Sequence, residues 1–168
     1  MPSLSVNDKV LLHIGTAKAE YLASMKTDGR HPLPLADLIK QATNDRLHLA
    51  SNCLKEAHDH LSQGRFRPSI SRNYYAMYHS ARAIVFAFHE GDDFQQHSVI
   101  PKHLPQDMPD FDKLAQDLKN ARLLRNQADY DAYPISSQSW QTDATKLTVT
   151  ASIFLNCCDN YAQSKGLI

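Results

Sequence analysis

The sequence predicts an all-α protein, an up-and-down bundle of four to five helices with an appended N-terminal helical arm. Three observations lead to it. Apolar residues recur at steps of three and four almost throughout, the spacing that gives each helix one buried stripe. Only 5 Gly and 8 Pro occur in 168 residues, too few for the reversals of a many-stranded sandwich. The turn residues that do occur fall between the periodic stretches and divide the chain into helices with short connections.

Residues 4–27 form a loosely amphipathic segment, and Asp28-Gly29 is its stop signal. His31-Pro32-Leu33-Pro34 reads as an extended connector, because each proline pushes its predecessor out of the helical region. Leu35 to Leu61 is a long helical pattern, with Leu47, Ala50, Leu54, Ala57 and Leu61 along one side and a stop at Gly64. The core domain is expected to start near Asp45, which divides the chain into an arm at 1–44 and a bundle at 45–168.

Pro68 marks the start of the most apolar helix, since a missing N–H costs little in a first turn. That helix reaches Phe88, and Glu90-Gly91-Asp92-Asp93 ends it. A polar, Pro-containing connection over 92–109 carries His97 and His103. Asp110 is a candidate cap for a helix that runs to about Tyr130 and is broken by Tyr133-Pro134. Ser136, Ser137 or Ser139 then caps a last helix, with Trp140, Ala144, Leu147, Ala151, Phe154, Cys158 and Tyr161 on its buried stripe.

Composition narrows the function. Lys plus Arg and Asp plus Glu are 18 each, so the formal charge is zero and any nucleic-acid contact must come from a local patch. Cys53, Cys157 and Cys158 make no disulfide framework and no C-x-x-C, and the adjacent pair reads as packing. No stretch approaches the roughly 20 apolar residues of a membrane span, and no signal-peptide pattern opens the chain. The expectation is a reduced, cytoplasmic protein without membrane attachment. No phosphate-loop, dinucleotide or nucleophile-elbow motif occurs, and His58-x-His60 points to different sides of a helix. No metal and no cofactor is implied.

Two helices carry polar residues where apolar or solvated ones belong. On the helix from Pro68, the residues Ile70, Tyr74, Met77, Ala81, Ile84, Val85 and Phe88 form the core face. The opposite side holds Arg72, Tyr75, Ala76, His79, Arg82, Ala83 and Phe86 rather than a run of Lys and Glu. Such a face reads as a second contact surface or a cleft. From Arg65 to His89 there are four Arg (Arg65, Arg67, Arg72, Arg82) and no acidic residue, a segment able to hold phosphates with Tyr75 free to stack on a base. The alternative is a polar-aromatic dimer interface. On the next helix, Phe111, Leu114, Leu118, Ala121 and Ala128 define the buried stripe, with Arg125 in its middle. Either Arg125 pairs structurally with Asp129 one turn later, or it is a phosphate-binding guanidinium in a cleft.

Together these segments resemble the HEPN superfamily. Ser71-Arg72-Asn73-Tyr74-Tyr75-Ala76-Met77-Tyr78-His79-Ser80-Ala81-Arg82 is similar to its R-x-Y-Y-A-x-F-H-x-A-R helix. Arg125-Asn126-Gln127-Ala128-Asp129-Tyr130-Asp131 resembles the R-x-x-A-D-Y-D signature of one prokaryotic branch, and His97-Ser98-Val99-Ile100 its intervening H-S-x-x turn. The resemblance covers roughly 45–165, with the pieces in order.

The resemblance implies a homodimer that brings two Arg motifs over a shared cleft, RNA as the bound ligand, and a role of toxin–antitoxin or defence type. It also implies metal-independent ribonuclease activity in many members and a nucleotidyltransferase-type antitoxin as partner. The motif Arg corresponds to Arg125 and the following polar position to Asn126, while Tyr130 stands where the motif His belongs. A phenol is a weak base at neutral pH, so His79, and after it His97, are the candidates for proton transfer. The expected site is thus Arg125, His79 and Tyr130 for chemistry, with Arg72, Tyr75, Arg82, His97, Asn126 and Asp129 holding RNA or nucleotide. The rival reading is a non-catalytic nucleotide- or protein-binding module that works with a nucleotidyltransferase. An interaction-only dimer is the third.

Overall fold

A computed structural model describes residues 3–27 and 34–168. Among these residues six helices follow in order: α1 (Val6–Thr16), α2 (Ala19–Thr27), α3 (Leu35–Ser62), α4 (Phe66–His89), α5 (Phe111–Tyr130) and α6 (Gln141–Ser164). Short 3-10 turns at Ile100–Lys102 and Ser137–Trp140 precede α5 and α6. No strand occurs among the described residues. The expected all-α bundle with N-terminal helices is the observed architecture.

The segment expected as one helix over 4–27 is two, because Ala17 turns to extended backbone between α1 and α2. Ser5 starts α1 with a capping box, its hydroxyl accepting from the Asp8 N–H while the Asp8 carboxylate accepts from the Ser5 N–H. The expected stop at Asp28-Gly29, and the His31-Pro32-Leu33 part of the connector, lie outside the described residues. Gly64 ends α3 as expected, with φ 68°, a left-handed turn that favours glycine. Helix α4 begins at Phe66, two residues before Pro68, which falls inside its first turn.

Helix α4 is the centre of the bundle. It packs along α3, α5 and α6, and its buried residues include Ile70, Tyr74, Met77, Ala81 and Ile84. Phe88, expected on this face, is 49% exposed, because it lines an open surface cavity with Lys102, His103 and Leu104. Helix α6 contributes the whole expected stripe from Trp140 to Tyr161, all of it buried. Two position-specific expectations need correcting. Asp110 occupies the N-cap position of α5 in a left-handed conformation and makes no capping bond. The serines before α6 likewise make none, and the 3-10 turn ending at Trp140 leads into the helix.

A second, smaller core belongs to the N-terminal part. Ile14, Leu22, Leu35, Ile39 and Ala42 close over Phe86 of α4. Phe86 is therefore 1% exposed and lies beneath this part of the chain, not on a free second face. The boundary expected near Asp45 falls inside the continuous helix α3.

The loop after α4 holds this region down. Asp92 N–H donates to the Ala17 carbonyl at 2.8 Å, and Ala19 N–H donates to the Asp93 carboxylate at 2.8 Å, capping α2 from 74 residues away. Lys26 reaches Glu90. A Cβ on Gly91 would come within 2.2 Å of the Ala19 nitrogen, so only glycine permits this approach.

Candidate nucleic-acid interface

The site is built where α4 and α5 pack side by side and the 90–110 connection folds back over them. Leu114, Leu118, Ala121 and Ala128 bury one stripe of α5 against the bundle. Arg125 shares that stripe, and its side chain is only 18% exposed. Each of its three nitrogens meets a side chain. Nη2 donates to the Tyr75 hydroxyl at 2.8 Å, Nη1 donates to Asn126 Oδ1 at 3.2 Å, and Nε lies 2.7 Å from an Asp129 carboxylate oxygen. The Nε–Asp129 contact is an ion pair without hydrogen-bond alignment, since that N–H is not aimed at the oxygen. The rings of Tyr75 and Tyr130 each lie 5.3 Å from the guanidinium carbon, within cation–π range. Of the two alternatives for Arg125, the pair with Asp129 is present, and the arginine also binds two aromatic rings.

Tyr75 joins this cluster to the two histidines. His79 stacks on it, with ring centroids 6.1 Å apart, and His97 meets it edge-on at 6.3 Å. His97 lies flat on Tyr78 at 4.0 Å, and its Nδ1 is 2.5 Å from the Tyr74 hydroxyl. Burial raises the Tyr74 phenol and keeps it protonated. We assign Tyr74 as donor to Nδ1, which puts the proton of the neutral imidazole on Nε2. Burial, then the charges of Arg122, Arg125 and Arg82, holds His97 below the usual histidine range. Burial first, then Arg82 and Arg46, drives His79 down to about 4. Both rings are uncharged at neutral pH.

Other expected residues stand elsewhere. Arg82 points toward the 90–93 loop and forks onto Asp92, whose side chain is 2% exposed, with Gln95 as a further acceptor. Arg46 shares the same carboxylate and donates to the Gly15 carbonyl, so Asp92 links the wall of the site to the N-terminal region. Arg72 pairs with Glu56 of α3 and lines a cavity of about 500 Å³ with His60, Arg67, Ser71 and Asp129. Ser71 donates to Asp129 at 3.3 Å, so the two sides meet at that carboxylate. Arg67, counted among the phosphate-holding arginines, instead donates to the carbonyls of Ala128, Asp131 and Pro134 and lies over Trp140. It fixes the connection between α5 and α6.

Two residues of the site escape a sequence reading. Tyr74 reads as a core position and Tyr78 only as part of the R-x-Y-Y-A-x-F-H-x-A-R helix, yet both orient His97. Among the described residues no group of three or more His, Cys, Asp or Glu is arranged to hold a metal ion. No described helix is long and apolar enough to cross a membrane.

The family model described as the HEPN domain matches residues 43–161. No curated protein matches the chain.

Proposed function

The chain belongs to the HEPN domain family, and from that premise we propose that it is an RNA-binding homodimer of toxin–antitoxin or defence type. One observation carries the reading. Arg125 is held between the rings of Tyr75 and Tyr130 beside a stacked, oriented His97, which puts cationic and aromatic groups on one wall. Phosphate contacts and base stacking draw on that combination. Tyr130 is 73% exposed and offers an open ring face, while Tyr75 is half-buried and sets the depth of the wall.

Metal-free RNA cleavage needs a proton acceptor for the 2′-hydroxyl and a proton donor for the leaving 5′-oxygen. At neutral pH His79 and His97 are both uncharged, so neither is in the imidazolium form that gives a proton to a leaving oxygen. Binding is therefore the proposed activity, and cleavage is a readout of the same assay. The dimer would use the outer side of α5, where Leu123 is exposed, and not Phe86. Light scattering at micromolar concentration tests it, and a monomer would sink it.

The test of the main reading is fluorescence anisotropy with a labelled single-stranded RNA, at several salt concentrations and with product analysis. The expected result is binding that weakens linearly in log salt. Absence of binding at low salt overturns the reading.

A second reading rests on the exposure of Tyr130. Its hydroxyl is open to a nucleotidyltransferase-type antitoxin that attaches nucleotide and blocks the wall. Intact-mass measurement after co-expression with the neighbouring gene should show an added nucleotide, and an unchanged mass removes this reading.

A further inference from the structure

Asp129 belongs to two places at once. On the wall, its Oδ2 forms the ion pair with Arg125 at 2.7 Å, and the same oxygen accepts from the Ser71 hydroxyl at 3.3 Å. Oδ1 has no partner among the described residues, and the side chain is partly exposed. Asp129 also lines the cavity of about 500 Å³ between α3, α4 and α5, with His60, Arg67, Pro68, Ser71 and Arg72. That volume falls within the roughly 300–1,000 Å³ of small-ligand sites. Wall and cavity thus share one carboxylate as their border. Two arginines line the cavity, and they differ in what they can offer. Arg67 is turned to the carbonyls of Ala128, Asp131 and Pro134. Arg72 meets Glu56 through Nε at 2.7 Å, which leaves both of its Nη groups without a partner among the described residues. The cavity therefore combines guanidinium donors with a carboxylate oxygen that accepts, and Ser71, the neighbour of Arg72, touches that carboxylate. A bare phosphate would be drawn by Arg72 and repelled by Asp129. A ligand that carries a hydroxyl beside its phosphate satisfies both. A ribonucleotide is such a ligand, and a deoxyribonucleotide lacks the 2′-hydroxyl.

We propose that this cavity is the subsite for the nucleotide next to the wall, with its phosphate on the Nη groups of Arg72 and its 2′-hydroxyl donating to Oδ1 of Asp129. Asp129 is then the residue that makes the protein prefer RNA to DNA. Ser71 is a positioning residue, because its hydroxyl and Arg125 together hold Oδ2 and leave Oδ1 to the ligand. The planar fork of Arg72 suits a phosphate better than a point charge does. The inference rests on the RNA reading for the source of the ligand, one nucleotide of a single strand. The same chemistry belongs to a free ribonucleotide.

The experiment has two arms. The first measures by anisotropy the affinity of one single-stranded sequence as RNA, as DNA, and as 2′-fluoro RNA, which keeps the size of the 2′ group and removes its donor. Wild type should bind RNA about five- to tenfold more tightly than the 2′-fluoro strand, the effect of one hydrogen bond to a charged acceptor. Asp129→Ala should bring the two strands to within about twofold, and Asp129→Asn should narrow the gap. The ratio compares two ligands on the same folded molecules, so a loss of stability in either variant does not move it. Arg72→Gln should weaken all three strands alike, about fivefold, with a log–log salt slope shallower by about one and the RNA preference kept. Lys119→Ala, an exposed cation of α5, should change every affinity by less than about twofold. The second arm decides the case in which no strand binds. It follows the backbone amide resonances of Ser71, Arg72 and Asp129 by NMR as adenosine 3′-monophosphate or its 2′-deoxy counterpart is added. If only the ribonucleotide shifts them, and not in Asp129→Ala, the RNA reading falls and the subsite stands with a free ribonucleotide as its ligand. If neither nucleotide shifts them, both fall. If RNA binds with no advantage over the 2′-fluoro strand, or if that advantage survives Asp129→Ala, the subsite is overturned while the RNA reading holds.

Discussion

Arg125→Ala asks whether the motif arginine supports the fold or the site. The change removes one charge-assisted bond to Tyr75, an ion pair with Asp129, and two ring contacts. A fully buried pair broken on one side costs about 3–5 kcal/mol. Here the Asp129 side chain is 25% exposed and keeps the Ser71 hydroxyl, so water and Ser71 take over much of what Arg125 supplied. That leaves about 1 kcal/mol for the bond to Tyr75, up to about 1 for the pair, and about 0.5–1 for each ring. Against these stands the relief of a poorly hydrated guanidinium. A net loss of about 1–2 kcal/mol is expected, a melting temperature lower by roughly 3–6 °C for a chain of this size. RNA affinity should fall further than the stability loss accounts for, because Tyr75 and Tyr130 lose their common anchor. Arg125→Lys should restore the pair with Asp129 and recover stability better than affinity. Thermal melting paired with anisotropy on both variants is the assay. A loss above about 4 kcal/mol with unchanged RNA affinity would refute the reasoning and make Arg125 a structural residue.

Three further outcomes are expected. Gly91→Ala drives a Cβ into the backbone of Ala19 and should cost about 1–3 kcal/mol by overpacking, seen as a lower melting temperature and faster proteolysis of residues 1–27; an unchanged melt contradicts the close approach. Histidines held below their unfolded pKa bind fewer protons folded than unfolded, so stability should fall as pH drops from about 6.5 toward the value of about 4 of His79. Melting in phosphate-free buffer should follow that window, and His79→Gln should flatten it; a melt independent of pH there removes the claim. Arg67→Ala leaves three carbonyls of the 128–134 stretch without their donor and should cost about 2–3 kcal/mol, with no loss of RNA affinity per folded molecule; a binding defect equal to that of Arg125→Ala would return Arg67 to the site.

Much of the architecture was legible because helices advertise themselves by period. The α6 stripe from Trp140 to Tyr161 and the Gly64 stop follow from spacing and from glycine's conformational freedom alone. The R-x-x-A-D-Y-D segment pointed to Arg125 and its pair with Asp129, since an arginine in a buried stripe must find partners. What stayed hidden depends on contacts between distant segments. Nothing in the run Arg65 to Arg82 says that Arg67 will bind backbone carbonyls, that Arg82 will fork onto Asp92, or that Phe86 will be roofed by Ile14 and Leu22. Tyr74 was read as core, and it is core; that it also ends on His97 is visible only in three dimensions.

The clasp between the 90–93 loop and the start of α2 has a consequence for how the chain is made. Ala19 waits for Asp93, which is 74 residues downstream, and Lys26 waits for Glu90. At about 5–20 residues per second, synthesis leaves an interval of roughly 4–15 s in which Ile14, Leu22, Leu35 and Ile39 exist without Phe86 to close on. The earlier segment is thus held back until the later one has been made, and its sticky face travels uncovered meanwhile. A translation product that stops short of residue 93 keeps that face permanently, which makes early truncations of this chain candidates for aggregation and disposal rather than for partial function.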